Sequence, residues 1–382
     1  MHLYLHIPFC KQACHYCDFH FSTQLKSKTE MVAAICREIE LQQDYLPTRM
    51  LETVYFGGGT PSILTQNELE QILETIHRFF KVEPGAEITL EANPDDLTSE
   101  KLRALKLFVN RLSIGLQSFY EPYLRFMNRA HNAQESEQCV KLAQDHGFDN
   151  LTIDLIYGMS QAHLGMVPTL SDEQLWQQDL DKAMALETPH ISAYNLTIEP
   201  KTALGNWLKK GKIKPVDEEL SARHFEQMVR SLTQAGYEQY EISNFAKNGQ
   251  YARHNSSYWK RRPYLGVGPS AHSFNGVSRQ YNVSNNAMYL IGIQAKKPVF
   301  ELEELSVFDQ VNDYILTSLR TIWGCDLAVI WDIGKVDLLK EQKEYVEKFL
   351  EKNWVEVRNN VLFLTDKGKL FADRIASDLF LV

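Results

Sequence analysis

Short apolar runs alternate with amphipathic stretches six times between residues 3 and 196. The runs fall at 3-7, 53-57, 87-92, 111-116, 151-157 and 190-196 and are rich in β-branched residues. Between them, Met31, Ile35 and Ile39 share one helical face, and so do Leu69, Ile72, Ile76, Phe79 and Phe80. Spacings of ~30-40 residues suit βαβ units, in which a helix carries the chain back to start a parallel neighbour. Six such units predict a parallel sheet with helices outside. A partial (β/α)6, TIM-like barrel is the simplest closure. A doubly wound open sheet is the alternative, and periodicity alone does not separate them.

The pattern changes after about residue 200. Helical patterns near 216-236 and 308-323 flank a polar, aromatic-rich section. Val355 and Val357 then alternate up to Asn359-Asn360, a turn signal, and Val361-Leu362-Phe363-Leu364 returns. Thr365 caps a helix carrying Phe371, Ile375 and Leu379 at i, i+4 and i+8. These elements predict an α+β, winged-helix-like accessory region. The expected division is a core barrel over 1-235, a connecting region over 236-300 and a C-terminal module over 301-382 of the 382 residues.

Forty basic residues against 49 acidic ones give a formal charge of -9, which argues against nucleic-acid binding, since phosphate neutralisation needs surplus Lys and Arg. No apolar run approaches the ~18 residues that span a bilayer, and no basic n-region precedes the first strand. A cytoplasmic location is the expectation. In a reducing compartment, six Cys with three of them inside eight residues read as a metal site.

That cluster is Cys10, Cys14 and Cys17, in the loop after the first strand. Three thiolates at C-x3-C-x2-C can hold three irons of a [4Fe-4S] cubane and leave the fourth iron open. The alternatives are buried structural cysteines, or a zinc site completed by His15 or His20, although zinc usually takes paired arms from separated segments. Cys36, Cys139 and Cys325 are isolated and are not expected to join. Gly57-Gly58-Gly59 ends an apolar strand and lets backbone approach a ligand closely. Glu91, Gln117 and Asp154 each lie at a strand end, where a carboxylate can take two ribose hydroxyls or can simply face solvent. Arg129 fits a bidentate clamp on a carboxylate. Tyr4 and Tyr16 either pack on a cofactor or belong to the core.

C-x3-C-x2-C with Tyr16 before the last Cys, following His6-Ile7-Pro8-Phe9, resembles the radical S-adenosylmethionine (SAM) superfamily. Tyr55-Phe56-Gly57-Gly58-Gly59-Thr60-Pro61, Leu90-Glu91-Ala92-Asn93-Pro94, Arg111 to Phe119 and Asp154-Leu155-Ile156-Tyr157-Gly158 follow in order. Together they are similar to the branch that holds the anaerobic coproporphyrinogen dehydrogenases and the haem chaperones. The resemblance spans residues 3-275, and the terminal module is also like theirs. It implies a cluster on the three cysteines and SAM on the open iron. It further implies Gly58, Gly59 and Thr60 at the methionine amino group, with Glu91, Gln117, Arg129 and Asp154 as further SAM contacts, and Tyr4 and Tyr16 beside the cofactor. A reduced cluster would then release a 5′-deoxyadenosyl radical from SAM.

Two features bear on the choice within the branch. The dehydrogenases carry a further Cys two residues past the third ligand and a long segment ahead of the first strand. Here Phe19 stands at that position and the strand begins at residue 3. His254-Asn255-Ser256-Ser257-Tyr258-Trp259 matches the H-N-x-x-Y-W signature of the haem chaperones, which implies His254 as a haem ligand; a capped turn beside a core Tyr-Trp pair is the other reading. His272, in Gly266-Val267-Gly268-Pro269-Ser270-Ala271-His272, is a second haem or cofactor neighbour. The expectation is a haem chaperone that passes haem to acceptor haemoproteins such as respiratory ones, with an electron donor to its cluster. Oxidative decarboxylation of coproporphyrinogen III is the runner-up, and a plain electron-transfer protein the third. One departure from the branch is an insertion near 159-167, ahead of Pro168.

Overall fold

The structure is a computed structural model and describes residues 1-165 and 170-381. Six parallel strands carry the first half: β1 (His2–Ile7), β2 (Met50–Gly58), β3 (Lys81–Ala92), β4 (Arg111–Gln117), β5 (Leu151–Tyr157) and β6 (His190–Asn195). They lie side by side in chain order. A doubly wound sheet would reverse direction from its first strand. Sequential order is instead that of a (β/α) barrel, here a partial and open one.

Period-2 patterning sets the two faces. On β1, Leu3, Leu5 and Ile7 join the main core, while His2, Tyr4 and His6 point the other way. Val54 and Phe56, Leu90, Leu112 and Ile114, Ile153 and Leu155, and Ile191 and Ala193 continue the outer apolar face. Helices Lys28–Leu41, Gln66–Phe79, Ala133–Asp145 and Asp172–Ala185 cover it. Met31, Ile35, Ile39, Leu69, Ile72 and Ile76 are all buried there, as their spacing requires. Thr65 closes the second of these helices in a reciprocal cap with Glu68. The inner face is left polar, which is unusual for a closed small barrel and normal for one that holds a ligand.

The section after residue 235 is built into the same sheet. β7 (Glu238–Glu241) and β8 (Asn244–Ala246) extend it antiparallel beyond β6. β9 (Tyr264–Val267) pairs parallel with β1, and β10 (His272–Phe274), β11 (Ser278–Asn282) and β12 (Phe300–Glu304) follow outward. The described residues thus form one 12-stranded sheet. The predicted helices appear as Glu218–Gln234 and Val307–Leu319.

The C-terminal module has its own core of Val311, Ile315, Leu338, Phe349, Leu362, Ile375 and Leu379. Its small sheet joins β13 (Cys325–Asp326), β14 (Val355–Arg358) and β15 (Val361–Leu364). The expected single helix after Thr365 is broken. Asp366–Lys369 and Ala372–Asp378 are separate turns, because Phe371 N–H bonds back to Gly368 and tightens the chain between them. Gly368 itself lies against the Trp354 carbonyl, where a Cβ would come within 1.8 Å.

Candidate functional site

All six parallel strands end at one mouth, and the loop after β1 folds across it. The resulting cavity of about 480 Å³ is lined by Cys10, Cys14, Tyr16 and Cys17 from that loop, Gly58 with Gly59 and Thr60 from the end of β2 and the turn after it, Glu91 and Gln117 from the ends of β3 and β4, and Arg129. Asp154 lines it too, but from the middle of β5 and not from a strand end as the sequence suggests. Sequence positions as far apart as 10 and 117 converge because strand ends of a parallel barrel share one rim.

The three thiols line one side of this cavity from a single loop. Burial pushes Cys10 up to about 11 and Cys17 to about 12, and each is raised further by the thiol of Cys14. Thr60 Oγ1 donates to Cys10 Sγ (3.3 Å), and Arg129 Nη1 donates to Cys14 Sγ (3.4 Å). Such a set is costly as bare thiolates and fits a group that withdraws their charge. Among the described residues no three His, Cys, Asp or Glu side chains converge on a single-ion position. His15 shares a hydrogen bond with the Phe126 carbonyl (2.7 Å), and His20 with Asn286 Oδ1 (2.7 Å). Neither imidazole completes a zinc tetrahedron with the cysteines. The donor set fits three corners of an iron-sulfur cluster.

Opposite the thiols, the strand ends offer donors and acceptors in pairs. Glu91 accepts from Tyr55 OH (2.8 Å) and from Gly58 N–H (3.2 Å). Burial raises its pKa to about 7, and the Asp154 charge adds to the effect. Burial likewise lifts Asp154 to about 6, although Ser113 donates to it (3.2 Å). Arg129 Nη2 donates to Asn93 Oδ1 (2.8 Å) and to the Gly115 carbonyl (2.7 Å). Its Nε is buried without a hydrogen-bond partner. Gln117 adopts φ +70°, a strained value for a residue with a Cβ, and its amide turns back over Gly115. Gly58 has φ +106° and sits against the His6 ring, where a Cβ would come within 2.6 Å.

Two expected residues lie elsewhere. Tyr4 is not on this cavity; it sits beneath it, stacked on Tyr55 at 6.1 Å with its OH 3.2 Å from His6 Nδ1. His254 is 1% exposed, and both of its ring nitrogens are engaged, with Thr53 Oγ1 (2.6 Å) and Tyr258 OH (2.8 Å). Burial drives its pKa well below the ordinary value. In this arrangement neither nitrogen is presented to an iron. Helix Arg253–Trp259 instead plugs the sheet's inner face, with Glu87 accepting from the Arg253 and His254 N–H groups (3.0 and 2.9 Å). Its Asn255 reaches the cavity wall.

Other wall residues were not singled out in the sequence: Asn93, Ser113, Ser192, Tyr194 and Asn255. Inner-face alternation was the available signal, since Ser113 pairs with Glu91, and Asp154 with Ser192, in register. Of the insertion near 159-167, Gln161–Leu164 forms a short helix tied to Asp172, and none of 159-165 lines the cavity. The remainder, with Pro168, lies outside the described residues.

The Radical SAM superfamily model matches residues 4–167. The chain is 31% identical to the haem chaperone HemW of Bacillus subtilis over 376 residues, covering 97% of each chain. It is 38% identical to that of Synechocystis, covering 99% of this chain and 95% of the relative. The HemW of Escherichia coli is 37% identical over 71% of this chain and 69% of its own. Among solved structures, coproporphyrinogen III oxidase HemN of Escherichia coli matches with a TM-score of 0.84 over 99% of this chain and 89% of its own, at 21% identity. At that identity the likeness concerns the fold alone.

Proposed function

The chain belongs to the HemW haem chaperone family, and from that membership we propose that it binds haem and hands it to acceptor haemoproteins, respiratory ones among them. It holds a [4Fe-4S] cluster on Cys10, Cys14 and Cys17 and SAM in the cavity beside them. An electron donor reduces the cluster, and the protein works in the cytoplasm, where thiols stay reduced. No helix among the described residues is long and apolar enough to cross a membrane. The observation that carries this reading is the near full-length match to curated haem chaperones, at up to 38% identity.

When bound, the cluster supplies one-electron chemistry toward a sulfonium. The chain's own residues bind and orient. Gly58 and Gly59 leave backbone exposed to the methionine amino group, with Thr60 beside it. Arg129, already fixed by Asn93 and Gly115, offers its free Nε to the methionine carboxylate. Asp154 and Gln117 take the ribose hydroxyls, and Glu91 neutralises part of the ligand's positive charge. Tyr16 closes one wall. Tyr4 and His254 act from behind, through Tyr55, on which His254 stacks at 4.9 Å. Ser113 already donates to the buried Asp154 carboxyl and holds it in place, and the sugar hydroxyls add to that contact.

The test is the EPR spectrum of the reduced cluster. Adding SAM should perturb it, and Asp154→Ala should weaken that response without loss of iron. An unchanged wild-type spectrum on SAM addition would remove the cofactor half of the proposal.

A further inference from the structure

A second cavity, of about 510 Å³, opens on the other side of the cysteine loop. Its size lies within the usual range for cofactor sites. Phe19 lines both cavities, so the second adjoins the wall that carries Cys17. Tyr258, Tyr264 and Phe274 supply further aromatic surface, and Phe19 is 72% exposed despite its size. An exposed large aromatic at a cavity rim is the kind of surface that a flat apolar ligand covers.

Three imidazoles border this space, and their hydrogen bonds differ. His6 uses both ring nitrogens, on Tyr4 OH and the His20 carbonyl. His20 uses one, on Asn286. His272 is exposed and hydrogen-bonds through neither nitrogen, with its ring held edge-on to Tyr281 at 4.8 Å. The surrounding cavity wall, by desolvation, and the nearby Arg279 lower its pKa and so favour the neutral ring, the form that ligates iron.

The charged residues on the lining are unevenly committed. Arg279 is paired with Asp313 and lies 3.7 Å from Glu303. Arg262 makes no ion pair among the described residues. Arg261 is packed with its Cζ 5.4 Å from the Phe274 ring centre, and its Nη2 is buried with no hydrogen-bond partner; the nearest carboxylate oxygen, on Asp313, is 4.0 Å away. A buried guanidinium nitrogen with no hydrogen bond, and only the Asp313 carboxylate at 4.0 Å, gains when a closer anionic oxygen reaches it.

We propose that this second cavity seats the haem, with His272 ligating the iron and Arg261 and Arg262 binding the propionate carboxylates. The proposal rests on the reading that haem is the cargo, and it moves the ligand from the buried His254 to an imidazole that is free. It also places the tetrapyrrole edge next to Phe19, one wall away from the cluster loop.

The experiment titrates the anaerobically reconstituted full chain with haemin and, separately, with iron-free protoporphyrin IX. The wild type should bind both saturably. His272→Ala should weaken haemin by roughly tenfold or more and move its Soret band, with protoporphyrin IX unchanged, because only the iron needs the imidazole. Arg261→Gln with Arg262→Gln should weaken both ligands, by roughly 10- to 100-fold if one charge-assisted contact is lost. The cluster EPR signal should be kept in every variant, which controls for folding. Wild-type haemin binding with an unaltered Soret band and affinity in His272→Ala would overturn this site, as would finding the loss in His20→Ala or His254→Ala instead. Failure of the wild type to bind haemin would overturn the cargo reading itself.

Discussion

Replacing Glu91 by Gln should remove a pH-dependent penalty built into the cavity. Burial holds the Glu91 carboxyl at about 7, against an ordinary 4.5, even though Tyr55 and Gly58 donate to it. Unfolded chains give up this proton near 4.5, and the folded chain keeps it until about 7. Across that window the native state binds more protons than the unfolded one, so its stability falls as pH rises. The contribution is whole below the lower value and gone above the upper one. At about 1.36 kcal/mol per pH unit, the penalty reaches about 3 kcal/mol by pH 8.5. Gln keeps the shape and cannot ionise. About 0.8 kcal/mol of this is already lost at pH 5, so urea unfolding of the full chain at pH 5 and 8.5 should show the wild type losing about 2.5 kcal/mol more than Glu91→Gln across that interval. Buried carboxyls that do not touch this cavity, Asp179 for one, contribute to both proteins and cancel in the comparison, while the Asp154 contribution, coupled to Glu91, is lowered with it in the variant. A cationic ligand would draw the Glu91 proton off, so SAM binding near pH 6 should release protons in the wild type and fewer in the variant. Parallel stability profiles for the two proteins would refute this account of the cavity.

Single Cys→Ser changes at 10, 14 and 17 should each abolish the cluster EPR signal and lower iron content, and the same change at Cys139 should leave both intact; the reverse pattern would rule out the assignment. Arg129→Lys keeps the charge but cannot reach Asn93, Gly115 and Cys14 together, so SAM affinity should fall roughly 10- to 100-fold, the loss of one charge-assisted hydrogen bond. Calorimetric titration with SAM checks this, and wild-type affinity in the variant would exclude Arg129 from the site.

Much of the barrel is legible because alternation and helical periodicity are local. Leu3, Leu5 and Ile7 announce one face of β1, and His2, Tyr4 and His6 the other, before any neighbour is known. Glu91 and Gln117 could be read because each closes its apolar run, and Asp154 because it is the single carboxylate inside the run 151-157. Alternation puts Ser113 and Ser192 on the same inner face, but which carboxylate each one neighbours follows from registry with Glu91 and Asp154 on other strands. His254 shows the limit of a motif. Its hexapeptide has the residues of a ligand, but Thr53, Glu87 and Tyr258 consume its polar groups, and Thr53 and Glu87 come from strands more than 160 residues away in sequence. The break in the C-terminal helix comes from the Phe371 N–H bond to the Gly368 carbonyl, and the close approach of the Trp354 carbonyl to Gly368 is a contact that periodicity does not show.

The central claim is that this protein carries haem, and haem transfer measures it directly. The haem-loaded, cluster-containing chain is mixed anaerobically with an apo-form of a b-type haemoprotein, and the acceptor's Soret band is followed over time, beside product analysis with coproporphyrinogen III and SAM. The acceptor should fill as the donor empties, with no protoporphyrinogen IX formed. Sustained conversion of coproporphyrinogen III, with neither saturable haem binding nor transfer, would contradict it.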